Sequence, residues 1–176
     1  VKKSEGRKSP GPSRSGGPAF LLAQLGAHAA MKFGQKIAGL DLTPPLAGIL
    51  RAISASEGLS QKALGERLGI VPSRLVELLD ELDQRELVER RDDENDRRVY
   101  ALYLTKKGGA TLEALGRIGR EHQETLLAAL TSSERELLAS LLAKVAEEQG
   151  LTPGVHPGYA YLRRARRSRE GPGDER

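Results

Sequence analysis

Residues 87–108 read LVERRDDENDRRVYALYLTKKG, and the reading of this stretch decides the fold. Leu87-Val88-Glu89-Arg90 has the character of a strand, and Val99 to Leu104 reads as another, with Tyr100, Leu102 and Leu104 on one face. Between them, Arg91-Asp92-Asp93-Glu94-Asn95-Asp96-Arg97-Arg98 is polar throughout, so a two-stranded hairpin with a charged tip is expected. Thr105 then stands at a helix-cap position, and the chain beyond it returns to a helical period.

Upstream, the pattern is helical. Leu75, Leu78, Leu79 and Leu82 give a helix from about Pro72 to Arg85, although Val71 is a poor cap. A short helix starts at Ser60, turns Ala63, Leu64 and Leu68 inward, and closes at Gly69. Before it, Thr43 caps a helix with Pro44 in its first turn, inner residues Leu46, Ile49, Leu50 and Ile53, and Gly58 at its end. From Phe20 to Leu40, a stripe of Leu22, Leu25, Ala29, Phe33 and Ile37 runs beside a small-residue stripe through Ala23, Ala27, Ala30 and Gly34. A helix with two such faces is expected between elements or between subunits.

Downstream, a long helix reaches about Leu130, with Leu112, Leu115, Gly119, His122, Leu126 and Ala129 at coiled-coil-like spacing. Thr131 and Glu134 make a capping box for a last helix, striped by Leu137, Leu138, Leu141, Leu142 and Val145 and stopped by Gly150. The order is helix, turn, helix, hairpin, between long helices. The fold class is mainly α with a small β-hairpin wing: a winged helix-turn-helix core flanked by long helices, about six helices in all.

Composition narrows the function. The 176 residues carry a formal charge of +4 that is unevenly placed. Residues 1–16 hold five cations against one anion, 151–176 hold six Arg against three acids, and 17–150 hold 17 cations against 20 anions. All of the excess positive charge therefore lies in the terminal segments. Residues 1–17 are expected to be a disordered basic tail and 150–176 a mostly disordered Gly/Pro/Arg-rich tail, with Tyr159, Tyr161 and Leu162 able to dock a short part of it. The absence of Cys excludes disulfides, thiolate metal sites and thiol redox sensing. Three scattered His have no metal-ligand spacing, so neither metal nor cofactor is expected. Apolar runs are too short for a membrane span and no secretory h-region lies in the first 17 residues; the expectation is a cytoplasmic protein with no membrane partner. Nothing arranges a catalytic nucleophile with its base, and an enzyme is not expected.

Over about residues 18–149 the chain resembles the MarR family of dimeric transcription regulators. The resemblance rests on Leu42-Thr43, Leu59-Ser60-Gln61 with Leu64 and Leu68-Gly69, and Leu82 with Leu87-Val88-Glu89-Arg90. Most distinctive is Asp96-Arg97-Arg98 followed by Leu104-Thr105 and Gly108, an Asp-x-Arg wing joined to a Leu-Thr-x-x-Gly helix opening. The resemblance implies residues 18–40 and 105–149 as dimerisation helices and 43–104 as a DNA-binding lobe with wing 91–98. It also implies a homodimer on double-stranded DNA, the fourth helix in the major groove and the wing in the minor groove. Arg98 is then the wing arginine, drawn to the negative potential of a narrow minor groove, and Asp96 the carboxylate that orients its neighbours.

Candidate DNA contacts are Ser60, Gln61, Ser73, Arg74, Val76 and Glu77 on the helix pair, and Arg90, Arg91, Asp96, Arg97 and Arg98 on the wing. The fourth helix is unusually acidic for the family, with Glu77 and Glu81 where Arg is common. Two readings stand: Glu77 accepts from cytosine, or Arg74 pairs with Glu77 and Arg85 with Glu81 as helix-surface ion pairs. Glu86 stands where the family usually has Gly. The basic tails would supply the counterion release that an acidic core lacks. The resemblance further implies a pocket for a small anionic or aromatic effector, with Gln24, His28, Lys32 and Arg51 as candidate lining residues; His122 is expected at the dimer interface. The expected function is a sequence-specific regulator, a repressor, released by that effector. The alternative is a winged-helix dimer with weak or lost DNA specificity that acts as a protein-interaction or ligand-binding module.

Overall fold

Leu46, Ile49, Leu50 and Ile53 share one side of a helix, and all four are fully buried in the computed structural model of the chain, which describes residues 16–92, 100–156 and 159. They sit at the centre of the core. Around them the chain runs α1 (Pro18–Ile37), a 3-10 turn (Ala38–Leu40), α2 (Pro44–Ser54), β1 (Leu59–Ser60), α3 (Gln61–Leu68) and α4 (Pro72–Gln84). It continues with β2 (Val88–Asp92), β3 (Tyr100–Leu104), α5 (Lys106–Leu126) and α6 (Ser132–Glu148). The four leucines of α4 are buried against α2 and the sheet, together with Leu64, Leu87 and Leu102.

Most helix boundaries follow from local chemistry. Ser60 Oγ accepts from the Ala63 N–H, Thr105 Oγ1 from the Gly108 N–H, and Thr131 with Glu134 forms a complete capping box. Thr43 departs from expectation: it occupies the cap position of α2 but makes no side-chain cap bond. Pro44 and Pro45 fill the first two helical positions and remove a donor that its hydroxyl would have met. Two helix ends also move inward. α2 stops at Ser54 rather than at Gly58, and α5 stops at Leu126 rather than near Leu130, where Arg135 Nε caps the Leu127 and Leu130 carbonyls at 3.1 Å.

The expected two-stranded hairpin is a three-stranded antiparallel sheet in the order β1-β3-β2. Leu59 pairs with Leu102 and Ser60 with Ala101, while β2 extends to Asp92 opposite Tyr100. A strand of two residues has no alternation to detect, so β1 is a product of its long-range partner. The hairpin tip, residues 93–99, lies outside the described residues, as do 1–15 and most of the segment after His156.

α5 crosses back over the lobe. The first part of its expected seam faces inward within the same chain: Leu115 is fully buried, Gly119 adjoins Arg51, and His122 packs on Phe33 of α1 with ring centroids 5.6 Å apart, while Leu126 and Ala129 are exposed. His122 is thus engaged within the chain, at the α1–α5 contact. Lys36 and Glu121 tie the same two helices at 2.7 Å, an exposed pair that lowers the Glu121 carboxyl from its ordinary range. α6 buries no residue. Leu137, Leu141 and Val145 on it, and Phe20, Leu22 and Leu25 on α1, remain exposed in the single chain.

Candidate nucleic-acid interface and effector cavity

Gly69 (φ +65) ends α3 in the left-handed conformation, and the Ile70 N–H returns to the Gly65 carbonyl at 3.0 Å. α4 begins three residues later, with Pro72 in its first turn. Because Leu75, Leu78, Leu79 and Leu82 all turn inward, the opposite face of α4 is left to solvent: Ser73, Val76 and Glu77 are exposed and Arg74 is half-buried. Ser60 and Gln61, half-buried at the start of α3, lie at the other end of the helix-turn-helix.

The carboxylates of this face are paired within the protein. Arg74 Nη1 lies 2.6 Å from Glu77 Oε2, and Arg85 Nη2 lies 2.8 Å from Glu81 Oε1. Both helix-surface pairs expected from the sequence are therefore formed in the single chain. Arg90, one of the less exposed cations of the lobe, reaches from β2 to Asp80 and, at 3.4 Å, to Asp83. It therefore bolts the base of the wing to α4. Arg91 bonds Glu89 and stacks 4.3 Å from the Tyr103 ring centroid. Asp96, Arg97 and Arg98 lie outside the described residues.

The junction between α4 and the wing explains the Leu-Thr-x-x-Gly motif. Glu86 holds φ +58, and the Glu86 and Leu87 N–H groups return to Asp83 and Leu82, closing α4 in the manner a glycine usually permits. Thr105 Oγ1 donates to the Glu86 carbonyl and Lys107 Nζ donates to the Arg85 carbonyl at 2.8 Å. A Cβ on Gly108 would overlap the Leu87 carbonyl oxygen. Only glycine lets the start of α5 approach the start of β2 this closely.

A cavity of about 530 Å³ opens between α1, α2, the end of α3 and the C-terminal segment. Of the four effector candidates, only Arg51 lines it. Gln24, His28 and Lys32 are exposed on the opposite side of α1, whose inward row runs through Ala30, Phe33 and Ile37. Residues that the sequence reading missed complete it: Arg67, His156 and Tyr159. Arg51 lies 5.9 Å from the Phe33 centroid, and Arg67 is held by the Ser56 hydroxyl at 2.8 Å. Neither guanidinium has a carboxylate partner among the described residues. Tyr159 docks on α2, as its aromatic character suggested, and donates to the Pro45 carbonyl at 3.0 Å; burial raises its phenol to about 12 against the slight opposing pull of Arg51. Tyr161 and Leu162 lie outside the described residues. Among the described residues, no cluster of acids and His could hold a metal ion, and no helix is long and apolar enough to cross a membrane.

A helix-turn-helix with a wing pinned to its second helix defines a winged-helix protein of the transcription-regulator class. Residues 40–99 match the MarR family. The chain is 35% identical to the transcriptional regulator HosA of Escherichia coli over 105 residues, covering 60% of this chain and 78% of that protein. It is 29% identical to a putative transcriptional regulatory protein for the hcr operon of Thauera aromatica over 141 residues, covering 76% and 85%. Among solved structures it is similar to the transcriptional repressor CouR bound to a 23-mer DNA duplex, at 31% identity and TM-score 0.66, covering 73% of this chain and 92% of that one. It is also similar to a mutant MarR from E. coli complexed with operator DNA, at 26% identity and TM-score 0.63, covering 72% and 91%. The chain belongs to the MarR family and is a transcriptional regulator, not an enzyme.

Proposed function

We propose that the protein is a homodimeric, sequence-specific DNA-binding repressor released by a small anionic or aromatic effector. The observation that carries this reading is the free outer face of α4 beside a wing whose base Arg90 fixes to that helix. Ser73, Arg74, Val76 and Glu77 enter the major groove, with Ser60 and Gln61 at its edge; Arg91 and Arg97 meet phosphates and Arg98, oriented by Asp96, the minor groove. Arg90 acts by positioning, since its guanidinium is taken up by Asp80 and Asp83. The acidity of α4, which favoured a non-DNA module, weighs less once Glu77, Asp80 and Glu81 each have an arginine partner. The relatives described as a repressor on a DNA duplex and as a complex with operator DNA support the same reading.

Dimerisation is supported by the uncovered apolar rows of α1 and α6, and two-fold symmetry would read a palindrome with half-sites about one helical turn apart. The cavity beside Arg51 lies between α1 and the lobe, so its occupant bears on the spacing of the two recognition helices. Selection of sites from random duplex DNA tests the proposal. The expected result is an enriched palindrome that Arg98→Ala binds roughly 5- to 150-fold more weakly, the loss of one good contact of about 1–3 kcal/mol. No enrichment at moderate salt would favour the protein-interaction module instead.

A further inference from the structure

One wall of the cavity is supplied by neither α1 nor α2. Pro153, Gly154, Val155, His156 and Tyr159 line it from the C-terminal segment, which leaves α6 through Gly150 and turns at Gly154, both at positive φ. Residues 151–156 form no helix or strand, and the backbone bonds described after residue 151 are short-range, from Val155 to Thr152 and from Tyr159 to His156. What fastens the segment to the lobe is side-chain docking. Val155 packs at the edge of the core, and Tyr159 is 6% exposed.

The seat of Tyr159 is cut for it. Its hydroxyl reaches the Pro45 carbonyl, and a Cβ at Gly48 would overlap that hydroxyl, so the glycine of α2 is a notch rather than a casual break in helix propensity. Among the described residues no backbone ladder ties this segment to the lobe, and a segment docked through side chains opens at lower cost than the whole domain unfolds. Behind it, about 530 Å³ is an ordinary size for a small-molecule site; the Arg51 guanidinium lies 5.9 Å from the Phe33 ring centroid there, Arg67 is also on the lining, and neither has a carboxylate partner among the described residues.

We propose that residues 153–156 with Tyr159 form a movable cover on this cavity, latched by Tyr159 in the Gly48 notch, and that the cover holds a planar aromatic anion against Arg51. The proposal rests on the effector reading given above. The cover makes ligand binding and tail docking mutually supportive: an occupant adds contacts to the seated tail, and the seated tail slows its escape. The phenol must be neutral to sit beneath the Pro45 carbonyl. With its value raised from 10.0 to about 12, the docking free energy is complete below pH 10 and is lost as pH rises through 12.

Fluorescence titration of the full chain with 2-naphthoate tests this, using wild type, Tyr159→Phe, Tyr159→Ala and Gly48→Ala. Gly48→Ala adds a single methyl to the lining and leaves the other cavity residues in place, and alanine suits a helix interior, so the fold is retained while the notch is closed. The expected result is at least about tenfold weaker binding and faster dissociation for Gly48→Ala and Tyr159→Ala, and a few-fold loss for Tyr159→Phe, consistent with one hydrogen bond. Equal binding by all four overturns the cover while leaving the effector site standing, and tighter binding by Gly48→Ala makes Tyr159 a competitor and also overturns it. Binding by none overturns the aromatic-anion reading of the site itself. In parallel, ultraviolet titration should show one tyrosine component near pH 12 in wild type that Gly48→Ala shifts down; an unchanged component overturns the latch independently of any ligand.

Discussion

Glu86 carries a side chain where the backbone favours none. At φ +58 a non-glycine residue costs about 1–2 kcal/mol, while glycine would return roughly 0.5–1 of that through the freedom of the unfolded chain. Its ion pair with Lys107 spans 3.5 Å between exposed groups and contributes little. Glu86→Gly should therefore raise stability by about 0.5–1 kcal/mol, seen as a higher urea midpoint at unchanged slope. A lower midpoint would mean that the exposed pair outweighs the backbone. Gly108 is the opposite case twenty-two residues on. Gly108→Ala forces a methyl into the Leu87 carbonyl and should cost about 1–3 kcal/mol, measured in the same titration. The sequence pointed at both positions, through the family pattern and the helix opening, but it showed neither the sign of φ nor the carbonyl that makes glycine necessary.

The pairing of α4 with β2 is the element-scale feature that the sequence left open. The apolar spacing of the leucines fixed which face of α4 is buried, so its outer residues were legible in advance. The destination of Arg90 was not, because Asp80 and Asp83 lie on a different element and the acids nearest in sequence, at 92–94, were equally eligible. If Arg90 is a positioning residue, Arg90→Ala should weaken operator binding several-fold without changing the slope of log affinity against log salt. A direct phosphate contact would instead lower that slope by about one. Measuring affinity at several salt concentrations decides between them. β1 was missed for a related reason: two residues become a strand only because Leu102 and Ala101 of β3 lie beside them.

At the scale of the molecule, the exposed rows of α1 and α6 need a partner. Phe20, Leu25, Leu137 and Leu141 are each more than half exposed in the single chain. Fully burying one such side chain is worth about 1.5–3 kcal/mol, so several together exceed what a solvated helix pair would leave uncovered. The double substitution Leu137→Glu, Leu141→Glu should give a monomer in sedimentation equilibrium and abolish binding to a full palindrome while the lobe keeps its helicity. A dimer that survives would place the subunit contact elsewhere. By itself, the sequence determined the helix pattern, the caps at Ser60, Thr105 and Thr131, the β2–β3 pair and the family, because these depend on periodicity and on groups a few residues apart. Only the tertiary structure decided which cations are already spent on carboxylates, which side of α1 faces the cavity, and that Tyr159 returns to the notch at Gly48. Those outcomes depend on where separate elements meet, and residues 111 positions apart leave no spacing between them to read.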